Sequence, residues 1–487
     1  MSTRTGRLNH VSSLLCGLCA VAVVVTSVGA QQAPDRTQPP AAGPPPSLRL
    51  PPVERRTLSN GLQVWVMGVH KVPTVHLELT VRAGIASDPA GKFGVASLTA
   101  DMLDEGAGTR SALEISDAID FLGAELSTTG AVDASYVDLH VPVARLGDAL
   151  PIMADVIARP TFPEAELKRL RDERIASLLE TADDPAELVQ AAFPRILFGK
   201  EHRYGTPAIG TATSLQGVSV ADLKAFHEAQ YRPSNAVIVV AGDVTADLVV
   251  PMLERALGGW KGGVASRTTP APAAPQLTAR RVYLIDKPGA AQSQVRIGWI
   301  GVPRSTPDYF ALRVLNTILG EAFTSRLNNN LREVHGYAYG ASSRFDMRLS
   351  AGMFYAAAGV QTDKTVEALK EFFNELTRIH QPVDAEELDK AKNYLALQLP
   401  RNFETSRATA NSLAQAYVYD LPPDYYTTYA DRVRAVTAED VKRAADKYIQ
   451  PDRFAVVIVG DRKVIEAGVR SLNLGPVTVT EPSEILK

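Results

Sequence analysis

Eight histidines are the side chains best suited to hold a catalytic metal, and their spacing does not bring two of them onto one helical turn. His10, His70, His76, His140, His202, His227, His335 and His380 form no i,i+4 pair, and no H-E-x-x-H runs in either direction. Asp101, Asp104 and Glu105 could bind a hard cation, but three acids closing a helix are more often simply solvated. There is no G-x-S-x-G nucleophile elbow, no phosphate loop and no G-x-G-x-x-G after a strand. The Gly-rich run at 258–263 leads into Ala and Pro and reads as a linker. Cys16 and Cys19 both fall in an N-terminal apolar stretch, so beyond it the chain has no thiolate and no disulfide.

Alternating and β-branched residues predict strands at 61–67 and 74–83, followed by helical periodicity at 95–103, 112–122, 143–157, 163–181 and 185–197. The order recurs later, with strands at 281–285 and 293–300 and helices at 307–319, 325–334, 362–379, 385–401 and 404–418. Strands interleaved with helices, some in hairpin-like pairs, predict an α+β fold: two homologous α/β sandwiches of mainly antiparallel sheet with packed helices.

The chain has 487 residues, 45% of them hydrophobic and 22% charged, with a net charge of -3. That is the balance of a soluble globular protein of more than one lobe, and it offers no basic footprint for nucleic acid. Arg4 and Arg7 precede an uncharged run at 11–30 that ends Val28-Gly29-Ala30, the pattern of a signal peptide cleaved after Ala30. A retained membrane anchor is the alternative. The expected location is periplasmic or secreted. A Pro/Ala/Gln-rich spacer at 31–52 follows, then a first domain at 53–260, a linker at 261–278 and a second domain at 279–487.

The two domains repeat one another. Val218, Asp222, Lys224, Pro233, Gly242 and Asp243 recur as Val436, Asp440, Lys442, Pro451, Gly460 and Asp461 at a constant offset of 218, with Leu223 replaced by Val441. This is an internal duplication.

Several motifs together resemble the insulinase/pitrilysin superfamily, in its mitochondrial-processing-peptidase-like branch. They are Thr57-Leu58-Ser59-Asn60-Gly61-Leu62, the segment GVASLTADMLDEGAGTR at 94–110, the Tyr-x-Pro to Gly-Asp unit at 231–243, Leu319-Gly320 with Ser325-Arg326-Leu327, and Leu331-Arg332-Glu333 with Gly336-Tyr337-Ala338-Tyr339. The resemblance spans about residues 53–475 and implies LuxS/metallohydrolase-like sandwiches. It also implies an inverted zinc helix, with histidines at 97 and 101, a glutamate base at 100 and a third ligand near 177. This chain has Ser97, Ala100, Asp101 and Ser177 there, so all three ligands and the base are missing. The expected metal at this site is none, with zinc on a partner.

The resemblance further implies a clamp on the substrate backbone made by an Arg and a Tyr seven residues apart, which Arg332 and Tyr339 match. From the residues alone, a surface Arg paired with Glu333 or Asp346 and a Tyr at the core edge is the favoured reading; the resemblance tips it to the clamp. The expected function is the non-catalytic, substrate-binding subunit of a heterodimeric peptidase. Its partners are an HxxEH-bearing subunit and an unfolded peptide, with pairing between two copies left open. The alternatives are a non-proteolytic structural or binding protein on the same fold and a self-sufficient metallopeptidase with unusual ligands.

Overall fold

The computed structural model describes residues 48–261 and 271–486. The expected leader at 1–30 with His10, Cys16 and Cys19, most of the spacer, and residues 262–270 of the expected linker lie outside the described residues.

The first half is built on a six-stranded sheet of β1 (Glu54–Thr57), β2 (Gln63–Gly68), β3 (Thr74–Val81), β4 (Glu125–Gly130), β5 (Ser135–Pro142) and β6 (Ala236–Gly242), in the order β1-β2-β6-β3-β5-β4. β2 and β6 run parallel and every other neighbouring pair is antiparallel. The second half repeats it with β7 (Arg281–Asp286), β8 (Gln292–Ile300), β9 (Ala338–Asp346), β10 (Met353–Gln361), β11 (Ala455–Gly460) and β12 (Val477–Thr480), in the order β9-β10-β8-β11-β7-β12. Here β11/β7 and β7/β12 are the parallel pairs. The chain is thus an α+β fold of two sheet-plus-helix halves.

The offset of 218 carries β2 onto β7 and the helix Val220–Gln230 onto Ala438–Tyr448 residue for residue. It fails at β4 and β9, the edge strands, and β1 and β12 take different directions. Edge strands meet fewer neighbours, so fewer contacts hold their register.

Strands β1, β4, β5, β10 and β12 are absent from the sequence-based expectation, which does place Tyr339 on a strand after Gly336, the strand β9. β4 reads ELSTTG and alternates exposed with half-buried residues, so it lacks the apolar face that marks a buried strand. The expected single helices at 307–319 and 325–334 are each broken. Tyr309–Asn316 passes into a π-helical turn at Thr317–Glu321, and Arg326–Asn328 into another at Asn329–Val334.

Five helices shape the candidate sites and join the halves: α1 (Val95–Asp101), α2 (Glu164–Thr181), α3 (Pro185–Phe198), α4 (Tyr309–Asn316) and α5 (Ser406–Val418). α3 starts sharply because Asp184 accepts the amides of Ala186 and Glu187 and Pro185 needs none. It leaves its own half: Leu188, Val189, Ala192 and Phe193 pack with Ile285, Ile300, Val457 and Val459 of the second sheet. α5 makes the reciprocal crossing, placing Ala410, Leu413, Ala414 and Tyr417 against Trp65, Met67, Val237 and Val239 of the first. Each sheet therefore has its own helices on one face and a helix from the other half on the second. This is why β6, AVIVVAG, is buried along its whole length.

Candidate functional sites

α1 is held from outside its own length. Asp88 accepts the amides of Gly94 and Ala96, both at 2.7 Å, at the helix N-terminus. Burial pushes the Asp88 carboxyl up to about 7, against the pull of those two amides and of Arg203 and Arg174. Gly94 has φ +94 and lies so close to Ile209 O that a Cβ would fall 2.7 Å from it, so only glycine fits. On the other side, Gly130 of β4 lets the edge strand pass directly over Ser97, whose Cα a Cβ would meet at 2.6 Å.

The three helix positions lie together, but a neighbouring side chain closes over them. Arg174 of α2 is buried and donates through Nη1 to Ser97 Oγ at 3.1 Å and to Ile209 O at 3.3 Å. Its Nη2 donates to Asp101 Oδ2. Ser97 Oγ lies 2.7 Å from Ala208 O, and Ala100 is fully buried as a core methyl. The spacing from the zinc helix points to Ser177 as the facing residue of α2. Ser177 is exposed instead, and its carbonyl accepts the Thr181 hydroxyl. The side chain that faces α1 is Arg174, about one turn earlier on the helix. These residues do not fit a zinc ion: one donor is a hydroxyl, one position is a methyl, the lone carboxylate is engaged, and a fixed positive charge lies among them.

The acids that could have held a hard cation are also divided. Asp101 pairs with Arg174 and Glu105 with Arg169, while Asp104 accepts from Thr128 at 3.3 Å. Burial raises the Asp104 carboxyl to about 6.

Arg332 and Tyr339 are brought together on the second half. Arg332 lies in the π-helical turn Asn329–Val334, which gives way to Gly336 at φ +64, and Tyr339 is the second residue of β9. The Arg332 guanidinium carbon is 5.1 Å from the Tyr339 ring centroid and 4.7 Å from that of Phe323, within cation–π range of both. Its Nε is 3.2 Å from Glu333 Oε1. Tyr339 is 84% exposed, so it is not a core-edge residue. β9 is a sheet edge with a register shift between Ala338 and Ala341, next to the tyrosine.

One polar cluster has no place among the sequence motifs. On β3 and β5, His76 pairs with His140 and Glu78 with Asp138, all on the sheet face turned toward α5. His76 is fully buried and Glu78 is 2% exposed. His76 Nε2 lies 3.0 Å from Asp138 Oδ1. Burial first, then the neighbouring Asp138 charge, pushes the Glu78 carboxyl up to about 8. The signal was the period of two in His76-Leu77-Glu78 and Asp138-Leu139-His140, which puts both polar residues of each triplet on one face.

Two duplicated sandwiches that exchange a helix, with a closed-off ligand helix in one and an Arg/Tyr pair at a sheet edge in the other, define a metallopeptidase-type fold. The model for Insulinase (Peptidase family M16) matches residues 66–211, and the model for Peptidase M16 inactive domain matches residues 217–395. The chain belongs to this insulinase/pitrilysin family and resembles its non-catalytic members. An uncharacterized zinc protease of Streptomyces coelicolor is 26% identical over 84% of this chain and 90% of its own length. The crystal structure of a peptidase M16 inactive domain from Pseudomonas fluorescens has a TM-score of 0.78 at 26% identity, covering 84% of this chain and 98% of that one. A protease from Helicobacter pylori shares the fold with a TM-score of 0.77 at 23% identity, over 84% of this chain and all of that one.

Proposed function

We propose that this chain is the non-catalytic, substrate-holding subunit of an exported heterodimeric zinc peptidase. The observation that carries the reading is Arg174, whose guanidinium lies between Ser97 and Asp101 where a ligand set would converge. A cation built from the protein's own side chain satisfies the surrounding acceptors and leaves no donors for zinc. The peptidase zinc then belongs to an HxxEH-bearing partner of the same family. Arg332 and Tyr339 serve as backbone donors for an extended peptide, which the unpaired edge of β9 beside them can take up as an added strand. On this reading the segment at 1–30 acts as a cleaved leader and the complex works in the periplasm or outside the cell.

The test is reconstitution. The isolated chain is expected to cleave no unfolded peptide; mixed with an HxxEH-bearing family member, it is expected to form a heterodimer with peptidase activity. A stable complex that never cleaves supports a non-proteolytic binding protein. Chelator-sensitive cleavage by the isolated chain would overturn the reading in favour of a self-sufficient enzyme.

A further inference from the structure

We infer that His76, Glu78 and Asp138 form a site for a divalent transition-metal ion of the zinc class, at the junction between the first sheet and α5. One ligand atom from each of the three lies within 4.8 Å of the others. Donors bound at roughly 2 Å to one ion stand at most about 4 Å apart, so side-chain shifts of under about an ångström close the set. The backbone already supports it. β3 and β5 are paired in register, with Glu78 opposite Asp138 and His76 opposite His140, so the donors come from two adjacent rungs of one ladder.

A second, independent observation points to a ligand. Glu78 Oε2 and His76 Nδ1 are buried and have no hydrogen-bond partner among the described residues, as is also true of His140 Nδ1 next to them. Glu78 Oε1 has only the Thr80 hydroxyl at 3.3 Å. Orphans of this kind are costly in a packed sheet, and three fall in one cluster. One divalent ion takes up lone pairs from one imidazole nitrogen and both carboxylates at once, standing in for the His76–Asp138 hydrogen bond if it sits on Nε2, and its charge offsets two carboxylates. The mix of imidazole nitrogen and carboxylate oxygen suits zinc and its first-row neighbours better than magnesium or calcium. The His140 ring centroid is 5.9 Å from that of His76, close enough to offer a further nitrogen. Arg407 on α5, the cation whose charge acts on Glu78, is bound by Glu125. The site is distinct from the peptidase position at Ser97 and Asp101, so it does not depend on the proposed function. An ion here would fasten the first sheet beneath the helix that the second half contributes.

The experiment uses the full chain stripped with chelator, titrated with Zn²⁺ by calorimetry and with Co²⁺ by its ligand-field absorption. One saturable equivalent is expected, together with a rise in Tm on adding Zn²⁺. Glu78→Gln, which keeps the shape and removes a buried acid, is expected to weaken binding at least about tenfold, and Asp138→Asn likewise. Asp101→Asn is expected to leave binding unchanged. No saturable binding by the wild-type chain, or binding that survives both Glu78→Gln and Asp138→Asn, overturns the site. Loss of the ion with Asp101→Asn alone overturns it too.

Discussion

Arg174 Nη2 donates to Asp101 Oδ2 across the gap between α2 and α1, while Nη1 of the same guanidinium reaches Ser97 Oγ at 3.1 Å. One side chain thus joins two of the three positions from which a zinc peptidase of this family would work. The pair is asymmetric: Arg174 is 7% exposed, whereas the Asp101 side chain is 39% exposed. The arginine depends on these contacts more than the aspartate does.

Removing Arg174 should therefore cost more than removing Asp101's charge. Arg174→Ala is expected to destabilise the chain by about 2–4 kcal/mol, because it opens a cavity and strips partners from Ser97, Asp101 and two carbonyls. Asp101→Asn keeps an acceptor and a similar shape, so about 1–2 kcal/mol is expected. Urea unfolding of both variants checks the order; equal losses would mean that the guanidinium is not the organising group.

A graft tests the same contact differently. Ser97→His, Ala100→Glu and Asp101→His together restore the family's helix residues but leave Arg174 among them. That triple variant is expected to gain no tight zinc site on α1. Adding Arg174→Glu, which removes the cation and puts a carboxylate on the face of α2 that meets α1, is expected to create one, measured as a second equivalent of Co²⁺ beyond any held at His76. Tight binding by the triple variant alone would show that Arg174 moves aside freely.

The Arg332/Tyr339 pair on the second half gives a kinetic prediction. In the reconstituted heterodimer, Arg332→Ala and Tyr339→Phe are each expected to lower kcat/KM for an unfolded peptide by about tenfold, the loss of roughly one charged or neutral hydrogen bond. Neither should change heterodimer formation by size-exclusion chromatography. Unchanged kinetics in both variants would remove the clamp.

The buried Asp88 carboxyl gives a pH dependence. Its pKa rises from 3.8 in the unfolded chain to about 7 in the fold, so the folded state holds the proton more tightly. The stabilisation is present in full below about pH 4 and is lost as pH rises through 7, with a slope of at most about 1.4 kcal/mol per pH unit from this group. Between pH 5 and 7 the wild type should lose stability relative to Asp88→Asn, compared by denaturant titration at each pH. Parallel curves for the two proteins would contradict the assignment.

The exchanged helices give the last prediction. Phe193 of α3 is fully buried against the second sheet, edge-to-face with Tyr355 at 6.0 Å. Phe193→Ala is expected to cost about 3–5 kcal/mol, and the loss should appear as weaker coupling between the halves. Limited proteolysis between the two halves, faster in the variant, reads that coupling.

Much of the fold was legible in the order of residues. Apolar periodicity marked most of the helices and most of the interior strands, because burial on one face leaves a repeat in the sequence. The duplication was visible as a constant offset, and the resemblance to the insulinase/pitrilysin motif implies the degenerate positions Ser97, Ala100 and Asp101. The edge strand β4 was missed because a half-exposed strand lacks a continuous apolar face, and the interior strands β5 and β10 were missed as well. The π-helical turns were missed because a helix one residue wider per turn keeps nearly the same local composition.

The sequence by itself determined the repeat and the motifs that carry the family resemblance, since these depend on identity and short-range spacing. Only the tertiary structure decided what takes the place of the family's ligands. Arg174 and Asp101 are 73 residues apart, and His76 and Asp138 are 62 apart. No local pattern couples such positions; they meet because helices pack and strands pair over long separations, which places charge against charge where the chain order shows none.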